Sequence, residues 1–160
     1  MSIRTARVLT QAGAVEWRQA HARAGRRVVF TNGVIDILHP GHVRYLAEAR
    51  RQGDALIVAV NSDRSVRAIK GPERPVHPEA ERAEVVTALA SVDAAVIFDQ
   101  DTPWDIINAI QPDVLVKGAD WPADQIVGRD IVEARGGVVV RVKVEDGHST
   151  TGIIGKVRGG

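Results

Sequence analysis

Short apolar runs along the chain alternate with longer stretches in which apolar residues recur every three or four positions, a pattern that predicts strands and helices in turn. Residues 14–24 have helical composition and stop at Gly25. A strand follows at about 27–31, where Val28, Val29 and Phe30 make a β-branched and aromatic run suited to burial on both faces. Asn32-Gly33 supplies its C-terminal turn, and Pro40 opens a helix. Residues 43–52 carry Val43, Leu46 and Ala47 on one helical face and end at Gly53. With a second strand at 56–60, this makes a parallel strand–helix–strand unit of right-handed crossover. The same reading gives a helix over 78–90, a strand at Ala94–Phe98, and a helix at Trp104–Ile110 with Thr102 as N-cap and Pro103 at N1. A strand at 114–116, a helix over 123–135 before Gly136-Gly137, a strand at 138–144 and an apolar helical segment after Thr151 complete the chain. Five strands alternating with helices predict an α/β fold: one parallel five-stranded sheet with helices on both faces. Ligands of such sheets bind beyond the C-terminal ends of the strands.

Composition narrows the partners. A chain of 160 residues, 44% hydrophobic, has the size and the core of one domain, so residues 1–160 are expected to fold as a unit. Its 21 basic and 20 acidic residues nearly cancel, which removes the electrostatic argument for nucleic acid or an anionic membrane and favours a small molecule. The absence of cysteine excludes a disulfide framework, a thiolate metal site and a thiol nucleophile. No apolar run approaches the roughly 20 residues of a membrane span, and residues 1–11 lack the apolar core of a secretory signal. A soluble cytoplasmic protein is expected.

The candidate chemistry sits at predicted strand ends. His39 and His42 are three apart and project from one face of a helix that begins near Pro40. An anion there meets imidazole donors, free backbone N–H groups and the positive end of the helix dipole together. A His-x-x-His pair also occurs as part of metal sites; the strand, glycine loop and Pro-Gly around this one favour the anion. His21 has no partner motif and reads as a solvated residue. Residues 64–76 are dense in cations and rigid turn residues, which suits either a phosphate-binding loop or a solvated basic loop. Asp99 and Asp101 read as helix caps or as contacts for a sugar hydroxyl. Lys117 beside Gly118 suits a ribose or phosphate contact, because glycine lets backbone approach a ligand closely. Ser149, Thr150 and Thr151 offer N-caps and, equally, hydroxyls for the outer phosphates of a nucleotide.

Thr31-Asn32-Gly33-Val34-Ile35-Asp36-Ile37-Leu38-His39-Pro40-Gly41-His42 resembles the signature of the cytidylyltransferase-like nucleotidyltransferases, whose His-x-Gly-His histidines stabilise the pentacovalent α-phosphate during nucleotidyl transfer. Three further words, Lys70-Gly71-Pro72-Glu73-Arg74-Pro75-Val76, Val116-Lys117-Gly118-Ala119-Asp120 and Glu145-Asp146-Gly147-His148-Ser149-Thr150-Thr151, are most similar to the D-glycero-β-D-manno-heptose 1-phosphate adenylyltransferases, which make ADP-heptose for the lipopolysaccharide core. The resemblance runs from about Arg27 to Ile154. It implies a Rossmann-like, doubly wound sheet and a nucleotidyltransferase with His39, His42 and Lys70 as catalytic residues. It also implies a nucleotide site built from Thr31, Asn32, Gly33, Val34, Ile35, Asp36, Arg82, Lys117, Gly118, Asp120, Gly147, Ser149, Thr150 and Thr151. Asp36 would orient the histidine loop or a metal-bound water; Arg82 would organise the pocket, or else pair at the surface with Glu79 or Glu81.

ATP is the nucleotide implied, a sugar phosphate the second substrate, and Mg²⁺ the ion, carried mainly by the triphosphate because the sequence offers no dedicated carboxylate cage. A homodimer is implied as well; many heptose enzymes also fuse this domain to a sugar kinase, which these residues do not show, so a separate kinase is expected to supply the sugar 1-phosphate. Two positions depart from the pattern. Val144 stands where glycerol-phosphate cytidylyltransferases carry arginine, which argues against CTP, and His148 stands where an apolar or small residue is more usual. The alternatives are a CTP-dependent enzyme acting on glycerol 3-phosphate and a non-catalytic nucleotide-binding module; His39, His42 and Lys70 count against the module.

Overall fold

The computed structural model describes residues 7–144 and 147–159; Glu145 and Asp146 of the last motif lie outside the described residues. The chain runs through β1 (Arg7–Leu9), α1 (Gln11–Arg23), β2 (Val28–Gly33), α2 (Pro40–Arg50), β3 (Ala55–Asn61), α3 (Asp63–Lys70), α4 (Glu79–Thr87), β4 (Ala94–Phe98), α5 (Trp104–Ile110), β5 (Val114–Gly118), a 3₁₀ turn (Ala123–Gln125), α6 (Arg129–Ala134), β6 (Val138–Val142) and α7 (Thr150–Gly159). The strands form one sheet in the order β1-β4-β3-β2-β5-β6, and every pairing is parallel.

Side-chain alternation along the strands builds two apolar layers. Val28, Phe30, Ile57 and Leu115 face Ala14 of α1, Ile106, Ile107 and Ile110 of α5 and Val132 of α6. Val29, Leu56, Val58, Val114 and Val116 face Leu46 and Ala49 of α2 and Ala83 and Val86 of α4. Burial on both faces is why β3 reads as an unbroken apolar run, with all seven of its residues buried. From β2 the chain proceeds to β3 on one side, whereas β5 pairs on the other, so a crevice opens between the C-terminal ends of β2 and β5.

The sheet has six strands, not the expected five. The extra one, β1, is a three-residue edge strand with two exposed positions, paired with β4 from Arg7↔Ala94 to Leu9↔Val96. A run that short and that exposed carries no hydrophobic period. Residues 63–70, expected as loop, form α3: Ser62 Oγ accepts from the Ser65 N–H at 3.1 Å as N-cap, and only Ser65 and Val66 turn inward. The helix expected over 123–135 is broken instead at Gly128, whose φ of +89° ends one turn before α6 begins. The strand expected to reach Val144 ends at Val142.

Candidate active site

The crevice between β2 and β5 opens into a cleft of about 360 Å³ walled by the β2–α2 loop, the start of α2, the end of β5 and the residues leading into α7. Of the expected site residues, it brings together Thr31, Asn32, Gly33, Val34, Ile35, Asp36, His39, His42, Lys70, Lys117, Gly118, Asp120, Thr150 and Thr151. Arg82, Gly147 and Ser149 are not in its wall.

His39 is the N-cap of α2, and its Nδ1 accepts from the His42 N–H at 3.4 Å. That contact assigns the remaining proton of a neutral His39 ring to Nε2. The His42 ring stacks on it at 3.8 Å between centroids and 23° between planes, and His148 stands beyond His39 at 6.2 Å. Burial lowers the His42 pKa to about 4, with His39 adding to the effect. Burial and then His148 lower that of His39. The His42 Nδ1 is buried without a hydrogen-bond partner among the described residues, an exception to the rule that buried polar atoms are paired. A Cβ on Gly41 would come within 2.8–3.0 Å of the His39 ring and the His148 Cβ, so the glycine is what allows the three imidazoles to gather. The loop that delivers them is strained: Ile35, a β-branched residue, has a φ of 45°.

Asp36 is buried, and its carboxylate is taken up by the segment after α3. It accepts from Arg74 Nε at 2.8 Å, the Val76 N–H at 2.9 Å and the His77 N–H at 3.0 Å. Burial alone would raise its pKa, but the His77 and Val76 N–H groups and Arg74 outweigh that and hold the carboxyl below its usual range. It therefore anchors the loop that follows α3, directly after Lys70 at that helix's C-terminal end. Arg82 is buried rather than paired at the surface with Glu79 or Glu81; it donates to Val34 O at 2.7 Å, His77 O at 2.9 Å and Asp63 at 2.9 Å, bracing the same two loops from below.

The three hydroxyls each have a protein partner. Ser149 Oγ accepts from the Gly152 N–H at 2.9 Å, Thr150 Oγ1 donates to Ile37 O at 3.0 Å, and Thr151 Oγ1 accepts from Arg74 Nη1 at 3.5 Å. On the β5 side, Lys117 donates to Asn32 Oδ1, and burial lowers its pKa to about 8. Tyr45, Arg74 and Trp121 line the cleft and were not singled out from sequence. Tyr45 had a signal, one helical step beyond His42; its hydroxyl hydrogen-bonds Thr31 Oγ1 at 2.9 Å, and burial raises its pKa to about 12. Among the described residues no group of three or more His, Asp or Glu side chains could hold a metal ion.

A parallel sheet with a histidine-bearing helix at its switch point places the chain among the doubly wound α/β proteins, and the family model that matches residues 30–156 is that described as cytidylyltransferase-like. The chain belongs to this family. It is 53% identical over 154 residues to the bifunctional protein HldE of Gluconacetobacter diazotrophicus, covering 96% of this chain and 32% of the relative. The bifunctional protein HldE of Hyphomonas neptunium is 54% identical over 145 residues, 90% of this chain and 29% of that one. The chain thus spans about a third of the length of these relatives. A crystal structure of the lipopolysaccharide core biosynthesis protein from Thermoplasma volcanium superposes with a TM-score of 0.64 at 30% identity, over 76% of this chain and 100% of that one.

Proposed function

We propose that the chain is a nucleotidyltransferase that moves AMP from ATP to D-glycero-β-D-manno-heptose 1-phosphate, giving ADP-heptose and pyrophosphate for lipopolysaccharide precursor synthesis. The observation that carries the reading is the stacked His39–His42 pair, 3.8 Å apart at the N-terminus of α2, in a cleft shared with Lys70 and Lys117. The similarity to HldE proteins and to a lipopolysaccharide core biosynthesis protein supports the sugar branch.

In this reading an oxygen of the sugar phosphate attacks the α-phosphorus in line; a new P–O bond forms as the bond to the β-phosphate oxygen breaks, and pyrophosphate leaves. The attacking oxygen is already anionic, so no general base has to take a proton, and the protein's task is positioning and charge stabilisation. His39 and His42 donate to the α-phosphate and bridging oxygens, where negative charge grows. Lys70 offsets charge on the triphosphate, and the N-terminal amides of α7, set by Ser149, Thr150 and Thr151, take the outer phosphates. The donor set that suits Mg²⁺ is the triphosphate's own oxygens with water, since Asp36 is committed to Arg74, Val76 and His77; bound there, the ion would offset phosphate charge. The whole stretch acts as one nucleotidyltransferase domain and pairs as a homodimer, and a sugar kinase activity makes the sugar 1-phosphate. A pyrophosphate-release screen crossing ATP, CTP, GTP and UTP with heptose 1-phosphate and glycerol 3-phosphate tests the reading. Release confined to ATP with heptose 1-phosphate is expected; turnover only with CTP and glycerol 3-phosphate would replace it.

A further inference from the structure

Lys117 and Asn32 were expected among the nucleotide contacts, yet strand alternation turns them away from α2. Val28 and Phe30 on β2, and Leu115 on β5, face the α1/α5/α6 layer, so Asn32 and Lys117, two residues further along each strand, face that layer too. On that side of the pair lies a second cavity of about 180 Å³, lined by Asn61 at the end of β3, Asp101 and Thr102 ahead of α5, and Trp121, Gln125 and Ile126 after β5. Asn32, Lys117 and Trp121 belong to the walls of both cavities, so the Lys117–Asn32 pair stands between the histidine cleft and this second one.

The lining specifies a ligand class. Amides at Asn61 and Gln125 both donate and accept, the Thr102 hydroxyl does likewise, and Asp101 accepts, which suits a group rich in hydroxyls. The half-exposed Trp121 indole and Ile126 offer apolar surface for the C–H face of a ring. Drug-sized ligands occupy pockets of roughly 300–1,000 Å³, so this cavity takes a single ring and not a second nucleotide. The one cation in its wall, Lys117, is shared with the histidine cleft, and Asp101, which also pairs with Arg64 at 3.7 Å, lies ahead of α5. The charge therefore favours a ligand with its anionic end at Lys117 and its neutral hydroxyls toward α5.

We propose that this second cavity is the subsite for the polyhydroxylated ring of the sugar phosphate, with Lys117 and Asn32 presenting its phosphate across the sheet edge to the nucleotide in the histidine cleft. This rests on the nucleotidyltransferase reading and assigns the two substrates to opposite faces of the sheet: nucleotide over α2 and α7, sugar over α5. Burial lowers the Lys117 pKa to about 8, and a bound phosphate would favour its charged form where the attacking group must sit.

Amide chemical-shift mapping of the full, isotopically labelled chain tests the assignment without needing turnover. Heptose 1-phosphate should shift Thr102, Gln125 and Val127; inorganic phosphate should shift only the surroundings of Asn32 and Lys117. The non-hydrolysable α,β-methylene analogue of ATP should shift His42 and Thr150 instead. Thr102→Val and Gln125→Ala, with core resonances unchanged, should each weaken heptose 1-phosphate binding by about tenfold, the loss of roughly one hydrogen bond, and leave the ATP analogue's Kd as it was. Shifts from the sugar phosphate confined to the histidine cleft, wild-type affinity in both variants, or no binding at millimolar concentration would each overturn the subsite. Pyrophosphate release with Thr102 and Gln125 undisturbed would sink the subsite and spare the reaction. Binding at Thr102 and Gln125 without pyrophosphate release would do the reverse.

Discussion

At the scale of single residues, burial favours the neutral form of both site histidines. His42 has a pKa near 4 because burial disfavours its cation, and His39 adds repulsion. In the proposed reaction a triphosphate would bring the negative charge that this environment lacks, so donation would strengthen as charge develops on the α-phosphate. His39→Ala or His42→Ala should lower kcat by roughly 10²- to 10³-fold, the usual cost of removing one transition-state donor, with the far-ultraviolet circular dichroism spectrum unchanged. Near-normal kcat at saturating ATP and sugar phosphate in either variant would remove that histidine from the mechanism. The same burial has a consequence for stability. Between the ordinary value of 6.5 and about 4, the unfolded chain binds more protons at His42 than the folded one, so stability is complete above that window and falls as pH falls through it. The urea midpoint should therefore drop between pH 7.5 and 5, and His42→Gln should flatten the drop; an equally steep fall in the variant would mean other groups carry it.

At the scale of elements, the sequence was most legible where one physical signal acted alone. β3 and β4 lie within a residue of expectation because continuous burial leaves continuous apolar runs. The α2 start was equally plain, since proline at N1 is local chemistry; His39 as its N-cap came only with the structure. α3 was hidden because its charged residues suggested a loop, whereas a Ser62 cap and one buried Val66 suffice to hold an eight-residue helix against the sheet. Asp36 and Arg82 were reached through the resemblance, but their contacts were not: Arg74 lies 38 residues from Asp36 and Val34 lies 48 from Arg82, and no local pattern encodes such contacts. Together they tie the strained β2–α2 loop to the start of α4. Arg82→Leu should leave Asp63 and two carbonyls without their donor and cost about 3 kcal/mol, the low end for breaking a buried ion pair because Asp63 is 25% exposed. Urea denaturation should read that loss, together with a raised KM for ATP. A variant as stable as the parent would show that Asp63, Val34 O and His77 O are satisfied by water.

At the scale of the whole molecule, the sheet and α7 differ sharply in how firmly they are held. β2, β3 and β5 are packed between two helical layers, whereas α7 has no fully buried residue and leaves Val157 77% exposed. The tethers of α7 to the rest of the molecule include Thr150 to Ile37, Thr151 to Arg74 and Arg158 to Glu73, and the last is an ion pair exposed on both sides. Such an element opens at a free energy far below that of global unfolding, because little apolar surface has to be wetted. The nucleotide reading makes α7 one wall of the triphosphate site, so ligand binding and α7 docking must be thermodynamically linked: what binds the docked form stabilises it by mass action, by about 2.7 kcal/mol at a hundred times Kd. Hydrogen exchange should accordingly find the α7 amides among the fastest in the free chain and those of β2, β3 and β5 among the slowest. Saturating ATP should slow exchange in α7 and in the loop after α3 by up to roughly a hundredfold, the exchange equivalent of that free energy, while the strands change little. Equal slowing across the sheet would mean that ATP stabilises the molecule globally, and unchanged exchange in α7 at saturation would remove the helix from the nucleotide site.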